Sequence, residues 1–241
     1  MIKAKKIYLI TAKDKRAVEV KKWFKHMSQP AQADLFLVAG GDGTLLHAIS
    51  LFRKYNKPFF GINRGTSGFL LNQISGPEEL EKVLNNFSSA KQVKLHLLKG
   101  RFGGKTFYAF NDFYVKASRG NARIVGTIKG DKNFPKQEFE GDGVIISTPQ
   151  GSTAYNYSAG GAIISLGAKQ LAIKSICSRK PLRAVVPEQT ITVEITRGQT
   201  TAYADHSKIM SGASQFKVWP SGESVSLVFK PGYDFEHKRW L

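Results

Sequence analysis

An apolar run, Leu35 to Ala39, breaks into Gly40-Gly41-Asp42-Gly43-Thr44. A helical pattern follows, with Leu45, Leu46, Ile49 and Phe52 on one side. Asp42 therefore sits on a strand-to-helix turn. Glycine suits that turn because a phosphate chain can approach backbone only where no side chain intervenes, and the free N–H groups of the following helix start favour an anion. A phosphate cradle alone gains nothing from a negative charge. A carboxylate inside one points to a group that handles a hydroxyl proton or holds a metal ion beside the phosphates. The same residues also fit a glycine turn in which Asp42 merely caps the helix.

A second stretch carries comparable chemistry. Gly141-Asp142-Gly143 precedes the apolar run Val144 to Ile146 with Ser147 and Thr148, and Pro149-Gln150-Gly151-Ser152-Thr153-Ala154-Tyr155-Asn156-Tyr157-Ser158-Ala159-Gly160-Gly161 follows. Ten of those thirteen residues are Gly, Ala, Ser, Thr or Tyr, far from what a sandwich loop requires. Small residues let a flat ligand lie against backbone, hydroxyls supply directional hydrogen bonds, and Tyr155 is placed to stack on a base.

Two kinds of element must position these loops. Over residues 1–92 strand and helix signals alternate. Strands are expected at Lys6–Thr11, Asp34–Ala39 and Pro58–Ile62, and helices at Lys15–Met27 (Val18, Trp23 and Phe24 inward), Thr44–Tyr55 and Glu78–Phe87 (Leu80, Val83 and Leu84 inward). This is an α/β nucleotide domain, in which ligands bind outside the carboxyl ends of the strands, where Asp42 and Asn63 both fall. Over 93–241 the texture becomes all-β. Short runs rich in Val, Ile, Phe, Tyr and Thr recur: Val93–Phe102, a Gly103-Gly104 hairpin, Thr106–Lys116, Arg123–Lys129, Gln137–Phe139 and Gly143–Thr148. After a glycine-rich insert they resume at Thr190–Thr196, Thr201–Ala204, Gln215–Trp219 and Ser224–Phe229. A β-sandwich is the expected architecture, with the last residues available to pack back on the first domain.

Composition narrows the partners. The 241 residues carry 36 Lys and Arg against 18 Asp and Glu, a net charge of +18 that attracts polyanions. The basic residues are dispersed and not interleaved with aromatics, so a dedicated nucleic-acid face is not expected. No apolar run approaches the roughly 20 residues needed to cross a bilayer, and the apolar run after Lys5-Lys6 is too short for a signal segment. The single cysteine, Cys177, permits no intramolecular disulfide or Cys cluster, which fits a cytoplasmic setting. Cys177 also lacks a nucleophile signature, and His26, His96 and His237 show no ligand spacing, so no metal site built from protein clusters is expected.

Taken together, Gly40–Thr44, Asn111-Asp112, Asp142-Gly143, Thr148–Tyr155 and Ser158–Gly161 resemble a bacterial NAD kinase, from about Asp34 to Trp219. The first motif also occurs in diacylglycerol, sphingosine and phosphofructokinase-type kinases; the long second motif is the specific one. The resemblance implies phosphorylation of the 2′-hydroxyl on the adenosine ribose of NAD to give NADP, with ATP or polyphosphate as donor and a divalent cation, Mg2+, carried with the phosphates. Asp42 would be the general base or hydroxyl-orienting group. NAD would be held by Gly43, Asn111, Asp112, Asp142, Thr153, Ala154, Tyr155, Asn156, Tyr157, Ser158, Asp205 and His206, and the donor by Gly40, Gly41, Thr44, Asn63, Arg64 and Gly65, with Arg64 beside the second glycine loop also read as a solvated side chain. Subunits of the family share sites, which implies a homodimer or homotetramer.

This chain departs from the family pattern at several positions. Asp112 stands for the usual Glu, one methylene longer. Asn63-Arg64-Gly65-Thr66-Ser67-Gly68-Phe69-Leu70 lacks the histidine common in that loop. Gln150 replaces Thr, Ala162 replaces Pro, and Asp205-His206 replaces Asp-Gly. His47, Arg119 and Arg123 are weaker phosphate candidates, each as well read as a surface residue, and Trp23, Trp219 and Trp240 are read as core or interface. The competing functions are a lipid kinase of the diacylglycerol kinase type, for which the second motif has no use, and a basic nucleic-acid-binding protein.

Overall fold

The computed structural model describes residues 6–66, 68–118, 123–234 and 236. The chain forms two compact units: one runs to Leu95 and resumes at Ser224, and the other is His96–Glu223.

In the first unit β1 (Ile7–Thr11), β2 (Leu35–Gly40) and β3 (Phe59–Asn63) lie parallel, with Ile7 opposite Leu35 and Gly40 opposite Asn63. Every residue of β2 is buried, the continuous apolar run that a parallel strand covered on both faces demands. On one face Leu9, Leu35, Leu37 and Ile62 pack with Ala17 and Val20 and with Leu80, Val83 and Leu84 of α3 (Pro77–Asn85). On the other face Phe36 is the hub. Its ring centroid lies 6.0 Å from Tyr8, 5.2 Å from Phe52, 5.9 Å from Tyr55 and 5.1 Å from Phe59. That cluster seats α2 (Asp42–Phe52), which buries Leu45, Ala48 and Ile49. Leu227, in the second half of β15 (Gln215–Phe229), pairs parallel with Phe59.

Two helix expectations shift. The helix expected over Lys15–Met27 is only α1 (Lys15–Glu19), with Asp14 capping Ala17, followed by a 3-10 turn over Val20–Trp23. Its inward stripe is Ala17, Val20 and Phe24, a run spaced three and four residues apart. Val18 is 39% exposed instead of inward. The second helix begins at Asp42, two residues before the expected Thr44, and gives way after Phe52 to a 3-10 turn closed by a left-handed Asn56 (φ 51°).

The second unit is a sandwich. One sheet runs β11 (Arg183–Pro187), β10 (Gln170–Ile176), β9 (Gly143–Ser147), β6 (Asp112–Ala117), β13 (Thr200–Ala204) and β14 (Ser207–Ser211), with every neighbouring pair antiparallel. Facing it are β7 (Ile124–Gly130), β8 (Gln137–Gly141), β12 (Ile191–Arg197) and the first half of β15, with a hairpin of β4 (Lys91–Phe102) and β5 (Lys105–Ala109) turning at Gly103-Gly104. Phe113, Val115, Val144, Ile146 and Ile173 of the first sheet meet Ile128, Phe139, Val193, Phe216 and Val218. Strands β10 and β11 fall where a glycine-rich insert was expected, and Lys174 and Ser175 interrupt the apolar pattern that would have announced β10. The two runs expected at Gln215–Trp219 and Ser224–Phe229 are one strand.

Phe36→Ala should cost about 3–5 kcal/mol, the loss expected for a fully buried aromatic. Urea unfolding at constant m-value checks it, and Phe36→Leu, which keeps most of the apolar volume, should recover most of that loss.

Candidate functional site

Gly41 is the N-cap of α2 and offers no side chain, and its carbonyl accepts from Thr44 and Leu45 N–H. Asp42, the first helical residue, does not cap its own helix. Its Oδ2 accepts from the backbone N–H of Phe69 at 2.9 Å and its Oδ1 from that of Leu70 at 3.1 Å. The helix-cap alternative for Asp42 is thus replaced by a tether to the loop after β3. The glycines make that tether possible. A Cβ on Gly40 would lie 2.4 Å from Thr44 Oγ1, and one on Gly65 would lie 3.2 Å from Gly41 Cα. Gly68 has φ +64°, and a Cβ there would run into the Asn63 amide. At Gly41 and Gly43 a Cβ would meet nothing within 4 Å, so backbone is open for a ligand.

Asn63 sits at the carboxyl end of β3, and its Oδ1 accepts from Gly65 N–H at 3.0 Å. Arg64 folds back onto the protein. Its Nη1 donates to the carbonyls of Asn63 and Ile74, both at 3.0 Å, its guanidinium lies 5.0 Å over the Trp23 ring, and its N–H donates to Gly40 O at 2.8 Å. Burial, then repulsion from Arg16, lowers its pKa against the pull of Glu19. His47 is exposed on α2 and, with Tyr8, Lys13, Lys21 and Thr44, lines an open groove beside that helix. Thr44 itself is half-buried.

In the second unit the Asn111-Asp112 corner is built by its neighbours. Thr148 N–H donates to Asn111 O at 2.9 Å, Gly151 packs so close that a Cβ would lie 2.2 Å from that oxygen, and Gln150 Nε2 donates to the carbonyls of His96 and Phe110. Gln150 thus ties β4 to the bend after β5, a reach that threonine lacks. Asp205 and His206 form the two-residue turn between Ala204 and Ser207. Asp205 is left-handed (φ 52°), and its carboxylate accepts from Phe110, Asn111 and Asp112 N–H at 3.1, 2.7 and 3.3 Å. Its carboxylate is therefore committed to backbone, while His206 is exposed.

Asp112 is the opposite case. It is 2% exposed, and among the described residues no donor bonds its carboxylate. Burial first, and Asp205 second, hold its pKa well above the usual carboxylate range. Burial raises Asp205 as well, but its three N–H donors and His206 oppose the rise. Beside Asp112 the Tyr114 ring stacks on Tyr203 at 4.7 Å and meets the edge of Tyr155 at 4.9 Å, with Lys116 Nζ 5.7 Å over Tyr155. Burial, with Asp112 next, pushes the Tyr114 hydroxyl up to about 12. Asn111 Oδ1 is buried with no hydrogen-bond partner, a polar atom waiting for a donor.

The long motif forms a 3-10 turn over Gln150–Thr153 and the short α4 (Tyr155–Ser158), joined at Ala154. Asn156 is fully buried and braces the loop, its Nδ2 donating to Ser152 O and Ala162 O. Tyr157 is 59% exposed, and Ser158 Oγ donates to Ala154 O at 3.4 Å. Asp142 is exposed at the end of β9 remote from Thr148, a strand's length of roughly 17 Å away. One copy of the unit does not bring it to the Asp112 corner. Arg123 pairs loosely with Glu140 at 3.9 Å, and Arg119, His237 and Trp240 lie outside the described residues. Sequence reasoning missed Asn72 and Tyr233. Asn72 is a fully buried amide directly after the apolar run Phe69-Leu70-Leu71, the one local signal that pointed to it.

Asp112→Asn should raise stability at neutral pH. An acid whose folded pKa exceeds its unfolded value binds more protons folded than unfolded, so stability falls as pH rises from the unfolded pKa, about 3.9, towards the folded one. The asparagine escapes that penalty. Its melting temperature should exceed the parent's by several degrees at pH 7, at about 2–4 °C per kcal/mol, and converge with it below pH 4.

The description "ATP-NAD kinase N-terminal domain" matches residues 4–92, and "ATP-NAD kinase C-terminal domain" matches 110–228. The NAD kinase of Rickettsia prowazekii (strain Madrid E) is 33% identical over 232 residues, covering 91% of this chain and 89% of that protein. Yeast NADH kinase, solved with NADH, superposes with a TM-score of 0.77 at 25% identity over 92% of this chain and 74% of that one. An NAD kinase from Archaeoglobus fulgidus, solved with ATP, has the same TM-score at 21% identity over 97% and 98%, a likeness of fold. Matched in order along both units, the chain belongs to the NAD kinase family.

Proposed function

We propose that this phosphotransferase moves the terminal phosphoryl group of ATP or polyphosphate to the 2′-hydroxyl of the adenosine ribose of NAD, giving NADP. The observation that carries the reading is Asp42, held by two backbone N–H groups beside glycine backbone open to a ligand. With one lone-pair direction of each oxygen committed to the loop, the carboxylate presents the other to the ribose hydroxyl. It accepts the hydroxyl proton as the ribose oxygen forms its bond to phosphorus and the donor's bridging P–O bond breaks. In phosphoryl transfer positioning and charge neutralisation supply most of the rate, so Asp42 need not be a strong base.

Gly40, Gly41, Gly43 and Thr44 would meet the phosphates with backbone and the hydroxyl, with Asn63 and Gly65 bounding the same loop. Arg64 braces that loop from behind. The divalent cation, Mg2+, would be carried with the donor's phosphates, whose oxygens suit a hard cation. The buried Asn111 Oδ1 and Asp112 supply an acceptor and a carboxyl group for the bound nucleotide, with Tyr155 beside them as a stacking surface and Thr153, Ala154 and Tyr157–Ser158 bordering the pocket. Asp205 acts one step back by fixing the Asn111-Asp112 backbone, and His206 flanks it. Asp142 would serve the site of a neighbouring subunit in a homodimer or homotetramer. The relatives' complexes with NADH and ATP support both substrate classes. No helix among the described residues is long and apolar enough to cross a membrane, and a cytoplasmic enzyme is proposed.

Asp42→Asn should lower NADP formation by about 10²–10⁴-fold, the usual contribution of a positioned proton acceptor, while NAD affinity stays within about threefold. A coupled NADP-dependent dehydrogenase assay measures the first and calorimetric titration the second. Near parental turnover would remove Asp42 from the mechanism.

A further inference from the structure

The loop that holds Asp42 has no regular structure of its own. Its described residues, 64–66 and 68–74, leave β3 and include Gly68 in a left-handed conformation that costs the chain entropy to hold. Phe69 and Leu70 must nonetheless aim two successive N–H groups at one carboxylate. What fixes them lies immediately downstream and comes from the chain's last described segment.

Leu71 O accepts from the Tyr233 hydroxyl at 3.1 Å. Asn72, fully buried, donates through Nδ2 to Gly61 O at 3.0 Å and Val228 O at 2.9 Å, and its Oδ1 accepts from Lys230 N–H at 2.8 Å. Its own backbone closes a bridge to β3, N–H to Gly61 O at 2.8 Å and carbonyl from Asn63 N–H at 2.9 Å. Lys230 Nζ is in turn paired with Glu79 of α3 at 2.6 Å, close enough to pull that carboxyl down to about 2. The Tyr233 ring stacks on Phe229 at 6.3 Å and 15°. Val228, Lys230 and Tyr233 therefore together grip Leu71 and Asn72. The Tyr233 hydroxyl is close enough to Asp42 for the two to interact electrostatically.

We infer that Tyr233 is a positioning residue for the phosphoryl transfer: by holding Leu71 O it fixes the Phe69 and Leu70 amides that orient Asp42. The inference rests on the reading of Asp42 as the hydroxyl's partner. Tyr233 itself touches no reacting atom, so its loss should be felt in turnover and not in substrate binding.

Tyr233→Phe keeps the ring and removes only the hydroxyl. It should lower kcat about three- to tenfold, the worth of one neutral hydrogen bond, with KM for NAD and for the donor within twofold. Amide hydrogen exchange at Phe69 and Leu70, followed by NMR, should quicken in the same variant, with Asp42→Ala marking the ceiling. Lys230→Met, which frees the segment from Glu79, should move both readouts the same way by less. Unchanged exchange at the two amides, faster exchange with unchanged kcat, or a rise confined to KM would each overturn the inference. A parent enzyme that forms no NADP would instead defeat the functional reading, and the exchange rates would still decide whether Tyr233 holds the loop.

Discussion

The hydrogen bonds from Phe69 and Leu70 N–H to the two oxygens of Asp42 are the constraint on which the first unit depends. A carboxylate in the first turn of a helix is already favoured by the exposed N–H groups there, and could have turned inward to cap them. Here it is drawn out to a separate loop, and the helix start is capped by a residue with no side chain. This leaves the open N–H groups and the carboxylate side by side but aimed differently. The surrounding glycines follow from the same geometry. Gly40 leaves room for Thr44, Gly65 lets two backbones touch, and Gly68 takes the positive φ that returns the chain to Asp42.

The second unit treats its acids by a different rule. Asp205 and Asp112 are both buried and adjacent, yet one has three N–H donors and the other has none among the described residues. Desolvation penalises both charges, but donors to the ionised form offset it for Asp205 alone. The likeness of charge then works against Asp112, which sits nearest the corner where a ligand would supply the missing partner. A carboxylate held by backbone donors and a carboxyl group without one are thus distinguished by their hydrogen bonds and not by residue type.

That distinction also marks how far the sequence could be read. Apolar runs and glycine turns announced β1 to β3, α2 and α3, because a covered parallel strand and an amphipathic helix leave periodic signatures. The sandwich was readable for the strands with clean alternation. Strand β10 was not, since Lys174 and Ser175 are buried polar residues that only their tertiary surroundings accommodate. Among the candidate residues, Asp42 in the first unit, and Asn111, Asp112 and the loop from Thr148 in the second, were visible as residue types in unusual company. Their partners were not. The amides that hold Asp42 are backbone groups 27 and 28 residues away, and the Asn72 contact to Val228 spans 156 residues. No local pattern encodes contacts of that range.

The same separation explains why Arg64 looked like a phosphate ligand. An arginine beside a glycine loop in a chain of net charge +18 invites that reading, yet its Nη1 is engaged by two carbonyls and its face by Trp23. The half-buried guanidinium donates to neutral carbonyls and so ties the loop to Ile74, with Glu19 as its nearby counter-charge. Arg64 ties Asn63 to Ile74 across the base of the loop, Asn72 ties its descending limb to Gly61, and the Phe69 and Leu70 amides lie between those ties. The charge that draws anionic ligands therefore resides in the exposed lysines and arginines. The loop after β3 presents neutral backbone to Asp42 and is braced by the half-buried Arg64.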